Sequence, residues 1–146
     1  MLERTNQLGA WVTILFYVSA ILVFVFRLLG RPQYGHWIGY FEFLLALPLV
    51  YLLLTAPQLR RPPLYYIQIG LMVVWLVAEL ALDYIFEIDF RQVRWIVISY
   101  VVLFFAGTGG MLGVARNAGQ GWAISAVILF LAMAILTFVQ RAVTGM

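Results

Sequence analysis

The sequence predicts an all-α integral membrane protein, a bundle of five transmembrane helices, on three observations. Its 146 residues are 65% hydrophobic and 10% charged, whereas a soluble surface carries about a quarter or more charged side chains. Five apolar runs are long enough to cross a hydrocarbon core about 30 Å thick, which takes roughly 20 mostly apolar residues per helix. Trp11, Trp37, Trp95 and Trp122 stand at the start of four of these runs, and their amphipathic rings favour the headgroup level.

The predicted spans are about 9–29, 37–56, 65–86, 95–115 and 122–140. The first, WVTILFYVSAILVFVF, is too long an apolar run for a signal sequence, and its small pair Ser19–Ala20 lies in mid-run, so it reads as an uncleaved helix. GRPQYG (30–35) separates it from the second span, and Pro48 inside that span deprives the Leu44 carbonyl of its donor. A packing kink is expected there rather than a binding site. APQLRRPP (56–63), EIDFRQVR (87–94) and RNAGQG (116–121) mark the remaining boundaries. The fourth span contains AGTGGMLG, in which Gly109 and Gly113 form a GxxxG widened by Ala106, Gly107 and Gly110. This small face suits close packing on another helix of the chain or of a second copy; the alternative is an unwound turn whose carbonyls coordinate a cation. Little chain is left over for a soluble part, and residues 1–146 read as a single transmembrane domain without internal repeats.

Five crossings place the amino terminus, the second loop and the fourth loop on one side, A, and the other two loops with the carboxyl terminus on side B. All nine basic residues are arginines. Arg4, Arg60, Arg61 and Arg116 fall on A, and Arg27, Arg31, Arg91, Arg94 and Arg141 on B, so the positive-inside rule alone separates the sides poorly. The purely basic loop QLRRPP orients A, with the amino terminus, to the cytoplasm of a plasma or inner membrane.

Chemistry is bounded first by what the chain lacks. With no cysteine and one histidine, His36, it offers no disulfide, no thiolate metal site and no haem held by two histidines. The cofactor is otherwise open. No zinc-binding HExxH, phosphate-binding glycine loop or nucleophile elbow occurs, and no catalytic residue is assigned. His36 reads as an interfacial anchor beside Tyr34 and Trp37, and Arg60 and Arg61 as a stiff, proline-flanked turn on lipid phosphates.

The positive signal is WLVAELALDYIFEID, residues 75–89. Glu79, Asp83 and Glu87 are four residues apart and therefore form one helical stripe, since each step turns only about 40°. With a rise of about 1.5 Å per residue, Asp83 lies about 6 Å and Glu79 about 12 Å deeper than Glu87, which sits at the B interface. Glu42 enters from side B to about the depth of Asp83, Arg27 ends the first span on that side, and Tyr40, Tyr84, Ser99 and Tyr100 share the same half. Trp75, one turn before Glu79, suits either a cationic ligand or packing.

Carboxylates at such depth are expensive and face a bundle interior or a wet cavity. A polar vestibule open to side B is therefore expected, built from Glu42, Glu79, Asp83, Glu87, Arg27, Tyr84 and Trp75, for a proton, a cation or a cationic small molecule. Two alternatives are a structural subunit of a larger membrane complex, in which the acids pair with Arg27, Arg91 or Arg94, and a membrane enzyme using the carboxylates as acid and base on a lipid-like substrate. The expected partners are the lipid bilayer and a second copy or membrane complex. No nucleic-acid partner is expected.

Overall fold

A computed structural model of the chain describes residues 2–81 and 94–144. Asp83, Tyr84 and Glu87 of the predicted vestibule, and Arg91 of the alternative ion pairing, lie outside the described residues. The described chain is all-helical, in the order α1 Leu2–Leu28, α2 Pro32–Leu44, α3 Ala46–Thr55, α4 Pro63–Glu79, α5 Arg94–Arg116 and α6 Gln120–Thr144. Among the described residues four stretches are long and apolar enough to cross a membrane: Glu3–Leu28, Gln33–Thr55, Arg94–Arg116 and Gln120–Val143. The second of these is α2 and α3 together. The third predicted span, 65–86, overlaps α4, whose 17 residues run from Pro63 to Glu79, and 82–86 lie outside the described residues.

Local sequence explains the ends. Gly30, at φ 74°, follows α1, while its N–H donates to the Arg27 carbonyl at 3.1 Å and that of Arg31 to the Phe26 carbonyl at 2.8 Å. This is the left-handed closing motif that glycine permits without a steric penalty. The same pair of bonds recurs after α3, from Arg60 to Pro57 at 3.2 Å and from Arg61 to Ala56 at 3.1 Å, with Arg60 itself left-handed at φ 53°. Prolines then open α2 and α4, where the absent N–H has no helical acceptor to lose. Helix α1 begins well before residue 9, because the polar turns of LERTNQL continue the helix ahead of its apolar run.

Between α2 and α3 the helix breaks at Leu45, three residues before Pro48. The proline ring crowds the carbonyl four residues earlier, that of Leu44, and supplies no N–H to it. Leu45 still donates to Phe41 at 3.3 Å and to Glu42 at 3.1 Å, so the break is a bend and not a loop. Helix α5 stays helical through AGTGGMLG, without an unwound turn.

Helix α1 lies against α2, α3, α5 and α6. Its Tyr17 hydroxyl donates to the Thr108 carbonyl of α5, and Thr13 donates to Gly9 at 2.8 Å and to Met111 of α5 at 3.3 Å. Phe16, Tyr17, Leu49, Ile69, Met72 and Met111 are fully buried around these bonds. At the A end, Arg61 folds inward, donating to Thr5 at 3.0 Å with its guanidinium 4.5 Å from the Tyr65 ring centroid. Large apolar side chains stand on the outer surface: Trp37, Leu47, Leu54 and Trp95 are each 70–71% exposed.

The small face of α5 turns mainly toward α4. A β-carbon on Gly107 would lie 3.3 Å from the Leu71 carbonyl oxygen and from Met72 Cα, both backbone atoms that cannot swing aside. One on Gly110 would meet Gln68 Cα at 3.3 Å, and Gly113 abuts the Gln68 amide. Gly109 faces α6, with the Phe130 ring 4.0 Å from where its β-carbon would be. Replacing Gly107 by leucine is therefore expected to cost about 1–3 kcal/mol of stability through overpacking. Gly109→Ala should change stability by less than about 0.5 kcal/mol, as substitutions away from tight contacts do. Thermal denaturation of the two variants in one detergent checks the contrast.

Candidate functional site

The B end of the bundle, where α1, α4 and α6 end and α2 and α5 begin, encloses a cavity of about 80 Å³. Its wall includes Arg27 of α1, Glu42 of α2, Trp75 and Glu79 of α4, Tyr100 and Phe104 of α5, and Gln140 and Arg141 of α6. The volume is ample for several waters or a small organic cation, since one water needs about 10–15 Å³ on this measure.

Each wall residue has a local reason for its position. Gly35, Gly39 and Glu42 follow one another at helical spacing and all three are buried. At Gly35 a β-carbon would lie 3.5 Å from Val23 Cα, so α2 runs close against α1 and carries Glu42 inward. On α4, Trp75 and Glu79 are one turn apart; on α5, Tyr100 and Phe104 are one turn apart. The two pairs face each other. Trp75 lies edge-on to Phe104 with centroids 5.1 Å apart and 6.1 Å from Tyr100, whose hydroxyl donates to Glu79 Oε1 at 3.4 Å.

Glu42 is only 3% exposed, and both Glu79 and Arg27 are close enough for their charges to act on it. Arg27 does so at Coulombic range and forms no ion pair with Glu42 among the described residues; its guanidinium lies 5.8 Å from the Phe24 ring centroid. Trp75 is also 3% exposed, and its indole Nε1 has no hydrogen-bond acceptor among the described residues. A buried donor left unsatisfied is uncommon and costly. A cavity with these walls can hold positive charge between two carboxylates and against aromatic faces.

Four residues singled out in the sequence, Arg27, Glu42, Trp75 and Glu79, thus line one cavity. His36 is exposed and lies edge-on to Tyr40, centroids 5.6 Å apart, and is not part of the wall. Ser99 is exposed. Gly109 and Gly113, as described above, meet α6 and α4 of the same chain. Sequence reasoning passed over Gln140, only 2% exposed, and Arg141. Their signal was available in TFVQR, where Thr137, Gln140 and Arg141 place three polar groups on one face of an otherwise apolar helix. Among the described residues no group of three or more His, Cys, Asp or Glu could hold a metal ion.

The surroundings of Glu42 predict an inversion of the usual effect of a core mutation. Leucine fills a similar volume without a carboxyl to desolvate, and replacing poorly compensated buried charge by an apolar side chain is neutral or stabilising by about 1–4 kcal/mol. Glu42→Leu should therefore melt at or above the temperature of the natural chain in detergent. A markedly lower melting temperature would mean that Glu42 serves helix packing.

No family model, curated protein or solved structure matches the chain, and its functional reading rests on this geometry.

Proposed function

We propose that the chain is a multi-pass membrane protein of a plasma or inner membrane that binds, and carries, a small cation entering from side B. Its spans are α1, α2 with α3, α4, α5 and α6. The apolar outer surface supports this placement: Trp37, Leu47, Leu54 and Trp95 stand almost fully outward, an arrangement suited to hydrocarbon and headgroup contact.

The observation that carries the reading is the meeting of Glu42 and Glu79, from different helices, in one cavity that Trp75, Tyr100 and Phe104 also line. Carboxylates within a membrane mark ion and substrate pathways. Glu42 and Glu79 supply the countercharge, Tyr100 orients Glu79 through its hydroxyl, and Trp75 and Phe104 offer the ring faces on which a cation is stabilised. The aromatic side chains favour an organic cation. Carriage by so few helices calls for a second copy of the chain.

The test uses the full chain purified in detergent, with ethylammonium as probe, by calorimetry and then by uptake into liposomes. Glu42→Gln combined with Glu79→Gln should abolish saturable binding and uptake. Unchanged binding and uptake in the double variant would refute the reading.

A further inference from the structure

The cavity wall holds two positive charges as well as two negative ones. Arg27 and Arg141 line the same space as Glu42 and Glu79, and a site for a cation alone is weakened by guanidinium groups nearby. The charges are also segregated by depth. Arg27 occupies the last turn of α1 and Arg141 the last turn of α6; Arg141 is exposed and Arg27 half-buried, whereas Glu42 and Trp75 are buried. Glu42 and Trp75 thus lie inside, Glu79 and Tyr100 are half-buried, and the guanidinium groups stand at the helix ends that form the mouth.

Resting on the cation-binding reading, we infer that the ligand is a zwitterion. Its ammonium enters between Glu42 and Glu79 against the Trp75 and Tyr100 rings, and its phosphate or carboxylate remains at Arg27 and Arg141. Guanidinium suits the outer position because its planar fork of donors matches a phosphate or carboxylate. Arg27 is available for that role, since Glu42 acts on it only at Coulombic range. The buried indole Nε1–H of Trp75 is an independent indication. It calls for an acceptor that an alkylammonium lacks and that an oxygen linking the two charged groups of a zwitterion supplies. The same chemistry occurs in a phosphoethanolamine lipid headgroup and in a free, water-soluble zwitterion.

The test compares ethylammonium with phosphoethanolamine on the full chain in detergent, by calorimetry, for the natural sequence and for Arg27→Gln and Arg141→Gln. Phosphoethanolamine should bind about tenfold or more tightly than ethylammonium, the difference of a charge-assisted contact. Each arginine variant should remove most of that advantage, read as the ratio of the two affinities, by weakening phosphoethanolamine binding far more than ethylammonium binding. Arg141 is exposed, so its variant keeps the test open if Arg27→Gln fails to fold. Equal binding of the two probes by the natural chain, or an equal loss of both in the variants, overturns the zwitterion and leaves the cation site standing. Absence of binding by either probe refutes the cation site itself, and the zwitterion with it.

Native mass spectrometry after extraction from bilayers of equal phosphatidylethanolamine and phosphatidylglycerol separates the sources. Retention of phosphatidylethanolamine by the natural chain and its loss in the arginine variants identifies a lipid headgroup. Binding of phosphoethanolamine without retained lipid identifies a soluble zwitterion.

Discussion

Helices α4 and α5 meet backbone to backbone at Gly107, and the cavity depends on that approach. Glycine at 107 and 110 removes the β-carbons that would hold the two helices apart. From this contact the antiparallel register advances one turn at a time: Gln68 lies opposite Gly110, Leu71 and Met72 opposite Gly107, Trp75 opposite Phe104, and Glu79 opposite Tyr100. Side chains at the last two steps are large, polar or aromatic, and there the pair opens into a cavity. The small residues at one end of the pair thus set where the functional groups at the other end meet.

Helix α1 provides the second constraint. Its Thr13 and Tyr17 bond to carbonyls of α5, fixing rotation as well as distance, because each bond has a direction. About two turns beyond Tyr17 that rotation places Phe24 against Phe104, centroids 6.2 Å apart, and about three turns beyond it Arg27 on the cavity. Gly35 draws α2 onto the same helix. Buried polar contacts at mid-bundle therefore govern the position of charges at its end, in a core whose apolar residues are not directional.

Much of this was legible in the residues. Hydropathy together with Pro, Gly and Trp punctuation located the helices, since each marks a place where the backbone or the surroundings change. Pro48 announced the bend at Leu45. Depth and helical phase grouped Glu42, Glu79, Arg27 and Trp75, because carboxylates in an apolar run must face inward wherever the run is buried. The contribution of α6 was less legible: almost every position on that helix is apolar, so its inward face shows only in the short polar cluster near Gln140. Gly35 and Gly39 had the spacing of a contact face, but two glycines near a helix start also read as turn residues. The inward turn of Arg61 onto Thr5 is a contact across 56 positions of sequence, which no local pattern encodes.

The placement of the five tryptophans has an optical consequence. Trp11, Trp37 and Trp95 are exposed and Trp122 is partly covered, whereas Trp75 is buried on the cavity wall. Of the five indoles Trp75 alone lines the cavity, so its emission is the one that a change in the cavity's contents alters. The molecule carries its own reporter beside the two carboxylates, readable without any label.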